Sequence, residues 1–244
     1  MTSRILARMS RAMLACVATL LTLSAHAEDA AAILQKARDT YVGLKSYADR
    51  GTVVHEYGYD STDTHAFTTY FNRAPRHFLL DFNKAGGDRY VIWGDPEAFH
   101  TWWKAISQET DYPNPTNTPA ISMSGQNTAG ASLMIPTLLY GKSDLAAVML
   151  RIADPVLDST EDVGGRRCHK IIGRASDVYA ATGREVNVRK VTVWIDMESF
   201  LVRKIMEESK PLPGQRSRNM WIFEPQANPR IDDSRFKFTP PEPR

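Results

Sequence analysis

The chain has 244 residues, with 30 Lys and Arg against 28 Asp and Glu. A balance so close to neutral excludes the strong basic footprint of a nucleic-acid binder. Two cysteines exclude a disulfide-dense scaffold, so stability has to come from packing.

Residues 1–27 have the three parts of a secretory signal. Arg4, Arg8 and Arg11 make a positive start, Met13 to Leu23 is an uncharged apolar run, and Ser24-Ala25-His26-Ala27 ends in a small-x-small cleavage site. The run falls short of the roughly 20 residues that span a bilayer. Cleavage after Ala27 is therefore expected, with export to the periplasm and a mature chain of residues 28–244 that folds as a single domain. The signal carries three arginines and no acid, so the excess of base leaves with it. The mature chain keeps one cysteine, Cys168. No later apolar segment is long enough for an integral membrane span: Pro136, Gly141, Lys142 and Asp144 interrupt the apolar text from Ile121 to Met149.

Residues 29–47 read as an amphipathic helix, because Ile33, Leu34, Ala37, Tyr41 and Leu44 recur at helical spacing. Gly51 reads as the end of the connection that follows. The period then changes. Residues 51–59, 65–73, 76–83, 88–94 and 98–106 are short, aromatic and β-branched, separated by turn text such as Ala85-Gly86-Gly87-Asp88, which predicts an antiparallel meander. Phe78, Leu80 and Phe82 share one strand face, with His77, Leu79 and Asp81 on the other.

Residues 111–130 are rich in Pro, Asn, Thr, Ser and Gly and read as a loop. Two apolar helices are predicted next. One covers Ala131 to Tyr140 and stops at Gly141; the other covers Asp144 to Ile152, capped by Ser143. Both are apolar nearly all round, so both are expected to be buried. Strands resume over 156–163, 167–175, 186–196, 200–208 and 217–224, with Val191, Val193 and Ile195 alternating against Thr192, Trp194 and Asp196. Phe236-Lys237-Phe238 reads as a last short strand.

These elements predict a mostly β (α+β) fold of about eleven strands. About eight strands make a barrel that its own side chains fill. A wider curved sheet encloses more space than that, and the apolar helices, with their adaptable Met134 and Met149, are the natural plug. The order of elements resembles the half-barrel of LolA-type, LolB-type and LppX-type periplasmic carriers of lipoproteins and lipids, and most of all the predicted periplasmic proteins of that fold with no assigned function. The resemblance is carried by FTTYFNRAPRHFLLDF (Phe67–Phe82), VTVWIDMESFLVRKI (Val191–Ile205) and FKFTPPEP (Phe236–Pro243), in that order. It implies an open, strongly curved antiparallel sheet with the N-terminal and mid-chain helices on its concave face. It also implies an arginine on the sheet that holds a helical lid through backbone carbonyls, for which Arg73 and Arg76 are the candidates.

Chemistry of other kinds is not legible. His55, His65, His77, His100 and His169 form no metal-binding spacing, so no metal ligand is assigned. Ser124 stands outside a nucleophile-elbow pattern. Cys168 and His169 are neighbours on a strand and point to opposite faces, so they make no catalytic pair. Asp232-Asp233 reads as a tail turn.

No catalytic residue, cofactor or enzyme activity is therefore expected. The expected function is a periplasmic carrier of an apolar ligand, such as a lipid or acyl chain, acting as a monomer. The expected ligand wall is Phe78, Leu80, Phe82, Trp93, Trp102, Leu138, Met149, Val193 and Ile195, with Trp103, Trp194 and Trp221 as further aromatics divided between core and ligand. The alternative is an envelope sensor or interaction module of the same fold whose partner is a protein.

Overall fold

The computed structural model describes residues 30–112, 121, 123–140, 152–179, 184–209, 213 and 215–242. The expected signal peptide, residues 144–151 of the second mid-chain helix and Met149 within it lie outside the described residues.

A helix over residues 30–43 (α1) opens the described chain. Ala30, Leu34, Ala37 and Tyr41 form its buried stripe, while the residues between them are mostly exposed. Leu44 follows the last turn and is buried with them. The spacing of that stripe is the reason the segment is helical and the reason it docks.

The strands follow in antiparallel succession. They are β1 (Ser46–Gly58), β2 (Ser61–Arg73), β3 (Arg76–Asn83), β4 (Arg89–Gly94), β5 (Phe99–Trp103) and β6 (Gln108–Tyr112), then β7 (Ala153–Val163), β8 (Arg166–Tyr179), β9 (Arg184–Asp196), β10 (Val202–Glu208) and β11 (Arg216–Phe223). A two-residue strand, β12 (Gln226–Ala227), pairs with the start of β1. The sheet order is β6-β5-β4-β3-β2-β1-β11-β10-β9-β8-β7, so β6 and β7 are its two open edges. An antiparallel sheet of eleven strands, left open, is the fold that the strand count predicted.

Several boundaries differ from the sequence reading. Helix α1 stops earlier than expected, and β1 starts at Ser46. Gly51 therefore sits inside a strand rather than at the end of a connection. The glycine is needed there because the Phe67 ring on β2 lies over it: a Cβ at position 51 would stand 2.0 Å from Phe67 Cζ. Strand β6 occupies text that read in part as loop. The expected closing strand at 236–238 is instead a 3₁₀ turn, Asp233–Phe236, whose N-terminus is capped by Asp232 (Ser234 N to Asp232 Oδ1, 2.8 Å), followed by extended chain.

Alternation splits the sheet residues between two faces. One face, with α1 and the lid (residues 121 and 123–140) packed on it, holds the main core, including Phe71, Phe78, Leu80, Phe82, Ile92 and Val193. The opposite face carries a second cluster, where Leu79, Val91 and Trp102 are buried beneath Phe236 of the C-terminal segment. We call these the concave and convex faces. Among the described residues no helix is long and apolar enough to cross a membrane.

Candidate functional site

The site is built from what lies on the concave face. The lid passes through a 3₁₀ turn, Ala131–Leu133, into a short helix, α2 (Ile135–Leu139). All five α2 residues are buried, as an all-round apolar helix requires. The lid satisfies much of its own polarity. Ser132 Oγ donates to the Ile121 carbonyl (2.7 Å), Thr128 Oγ1 to the Ser124 carbonyl (2.8 Å), and Thr137 Oγ1 to the carbonyls of Leu133 and Met134 (3.0 Å each). Hydroxyls that bond within the lid leave its outer surface free to be apolar.

Polar ties join the lid to the sheet along its length. Near its start the hydroxyls of Ser124 and Tyr90 on β4 share a hydrogen bond (3.1 Å), and midway Trp221 Nε1 on β11 donates to the Ala129 carbonyl (3.0 Å). Gly130 is seated directly on that indole; it has φ +78°, and a Cβ there would lie 2.9 Å from Trp221 Cζ2. Glycine is thus required twice over, by its backbone and by close approach. At the exit, the Arg73 guanidinium at the end of β2 donates to Leu139 O (3.2 Å), Leu44 O (2.6 Å) and Tyr41 O (3.2 Å). One side chain therefore links the last carbonyls of α1 to the last carbonyl of α2. The five rigid donors of a guanidinium suit it to several carbonyls at once. Burial, with help from neighbouring Arg76, lowers the Arg73 pKa; the group still stays charged, as arginine does in proteins. Arg76, paired with Arg73 across the β2–β3 hairpin, lies over the Tyr140 ring, 5.7 Å from its centre.

The structure divides the residues expected to form the ligand wall. Phe78, Leu80, Phe82, Leu138, Val193 and Ile195 come together in the concave core. They are sealed there: Phe78, Leu80, Phe82, Val193 and Ile195 have no exposed surface, and Phe78 packs edge-on against Phe99 and Tyr140. Trp93 and Trp102 do not join them. Strand alternation turns both to the convex face, where they pack with Phe238 at 5.0 and 5.5 Å between ring centres. Trp194 is convex too, with Lys204 over its ring and its Nε1 donating to Glu161 (2.8 Å).

Beside the sealed core, under the entry end of the lid, is a cleft of about 830 Å³. Leu133 and Met134 line its lid side, and Trp221 lines the sheet side. The rest of the sheet side, facing Leu133 and Met134, is charged. Arg189 on β9 pairs with Asp177 on β8 (3.2 Å) and Glu207 on β10 (3.4 Å). A cavity with one apolar wall and one paired, polar wall suits an amphiphile better than a pure hydrocarbon. Sequence reasoning missed this wall. Its signal was present, since Arg189 and Glu207 fall on the inward positions of strands whose other inward residues are apolar.

Cys168 and His169 stand on opposite faces, as alternation requires. Cys168 is fully buried, and burial pushes its thiol up to about 11, which is the environment of a packing residue rather than a nucleophile.

A family model described as "Predicted periplasmic protein (DUF2092)" matches residues 111–243. No curated protein matches the sequence. Among solved structures, the chain is similar to the Mycobacterium tuberculosis lipoprotein LppX, with 12% identity over 82% of this chain and 96% of that one (TM-score 0.47). It is similar to LprF from Mycobacterium bovis, with 11% identity over 81% and 92% (TM-score 0.46). A chain of the Pseudomonas aeruginosa MucA/MucB complex is 13% identical over 86% of this chain and 61% of that one (TM-score 0.48).

Proposed function

The chain belongs to the DUF2092 family of predicted periplasmic proteins, and from that premise we propose that it is a periplasmic binding protein for an amphiphile with a long apolar chain. The observation that carries the reading is the lid: a largely apolar segment that bonds internally and is tied to the sheet near its start, at its middle and at its end, above a cleft with an apolar lid wall and a charged sheet wall. The acyl part of the ligand lies between lid and sheet, toward Phe78, Leu80, Phe82, Leu138, Val193 and Ile195. Its head stays in the cleft by the Arg189 ion pairs. Export through cleavage near Ala27, action as a monomer of one domain, and binding without catalysis are parts of the same proposal.

The energetics favour exchange of one packing for another. Each buried methylene contributes about 0.8 kcal/mol. Each tie from the lid to the sheet contributes about 1–3 kcal/mol, the upper end for the charged Arg73. Roughly ten methylenes therefore offset loss of the ties, without any specific contact to the chain.

Titration of a fluorescent fatty acid into tag-free protein prepared without detergent tests the reading. Saturable one-to-one binding is expected, weakened at least several-fold by Met134→Glu, which puts a charge on the apolar wall. Absence of saturable binding to both the native protein and a lid-loosened Arg73→Ala variant overturns it.

A further inference from the structure

Away from the lid, on the convex side of the β5–β6 hairpin, three ligating side chains converge. His100 on β5 faces Asp111 on β6 as its direct cross-strand partner, and Glu109 lies two residues along β6 on the same face. One donor atom from each residue, an imidazole nitrogen and two carboxylate oxygens, lies within 4.8 Å of the other two. Around an ion with bonds of about 2.1 Å, tetrahedral donors stand about 3.4 Å apart. The three donor atoms are already near the spacing such an ion imposes. The geometry points to a surface site for a divalent transition-metal ion of the zinc type, held by His100, Glu109 and Asp111 with its remaining positions open to water or a second molecule.

Two features separate this from an ordinary exposed ion pair. First, the imidazole is held in place before any ion arrives. Its ring stacks on Trp93 at 5.1 Å with an angle of 18°, and Trp93 is itself backed by Phe238 at 5.0 Å. A ligand whose ring is fixed by packing loses little freedom on binding. Second, the donor set is mixed. One nitrogen with two carboxylates, all from hydrogen-bonded strands, matches zinc and its neighbours better than calcium, which takes oxygen ligands only. His100 Nδ1 and Asp111 Oδ1 are already 2.7 Å apart. A metal ion takes the place of the proton between them and adds Glu109 as its third ligand. The site is hidden in the sequence because its residues come together only when the chain folds back through the turn at Lys104–Ile106.

Calorimetric titration of zinc chloride into the tag-free chain, in a buffer that does not chelate, tests the proposal. One zinc per chain is expected. Glu109→Gln and Asp111→Asn alter exposed side chains and leave the strands intact; each is expected to weaken binding at least tenfold, and His100→Gln to abolish it. His169→Gln, on a different strand, is expected to change nothing. Circular dichroism checks that each variant is folded, and the two amide variants decide the matter if His100→Gln is not. Absence of binding heat, or a zinc site indifferent to the Glu109 and Asp111 substitutions, overturns it. The result is independent of fatty-acid binding, since the two sites lie on opposite faces of the sheet.

Discussion

The Arg73 guanidinium donates a hydrogen bond to the Leu139 carbonyl at 3.2 Å, so a residue at the end of a strand holds the last turn of the lid helix. The same group caps the end of α1 through Leu44 and Tyr41. Removing it frees lid and helix together. Arg73→Ala is expected to lower stability by about 2 kcal/mol, the scale of charged hydrogen bonds, and to speed amide hydrogen exchange in residues 131–139 more than in β8 and β9. Arg73→Lys is expected to restore little, because a point charge cannot reach three carbonyls as a fork does. Urea unfolding with exchange mass spectrometry checks both.

Gly51 and Phe67 form a second coupled pair. The ring occupies the space that a side chain at position 51 would need. Gly51→Ala is expected to destabilise by about 1–3 kcal/mol through overpacking. In a Phe67→Leu background the same substitution is expected to cost less. A double-mutant cycle in urea reads the coupling; simple additivity contradicts the close approach.

Asp49 supplies a pH dependence with a definite sign. It is buried on the concave face, and one of its oxygens accepts the Glu224 amide at 2.9 Å. Burial pushes its carboxyl up to about 8, against the lowering pull of that amide. Below about pH 4 the group is protonated in both folded and unfolded chains, and its contribution to stability is intact. Between about pH 4 and about pH 8 the unfolded chain releases the proton while the folded chain keeps it, and stability falls by about 1.4 kcal/mol per pH unit. Asp49→Asn removes that slope. Denaturation at pH 5 and pH 8 is expected to show the variant gaining on the native protein by about 2 kcal/mol or more across the interval; a constant difference contradicts the buried neutral acid.

Much of the fold was legible because its signals are local. The alternation of Phe78, Leu80 and Phe82 against His77, Leu79 and Asp81 belongs to one strand, and the all-round apolar lid belongs to one segment. What the sequence hid depends on more than one element. Alternation shows that Trp93 and Ile92 point opposite ways, but not which of the two faces is concave. Here both faces are apolar, because the C-terminal segment covers Leu79, Val91 and Trp102 as the lid covers Phe78 and Leu80. For that reason alternation alone does not separate Trp93 and Trp102, which lie on the convex side, from the aromatics of the concave core. A bond from Arg73 to a carbonyl of the mid-chain helix was expected only through the family likeness; its convergence on Leu44 and Leu139 needs three segments in place. The His100 cluster is likewise a product of strand pairing, and the Arg189 pairs join three strands, although the inward place of Arg189 and Glu207 was itself readable from alternation.

Native mass spectrometry of the tag-free protein, purified from bacterial periplasm without detergent, tests the central claim most directly. The account predicts a bound species of amphiphile mass, one per chain, that is released by mild activation and is depleted in Met134→Glu. A spectrum of the bare polypeptide alone, from a preparation that also fails to bind added fatty acid, contradicts it.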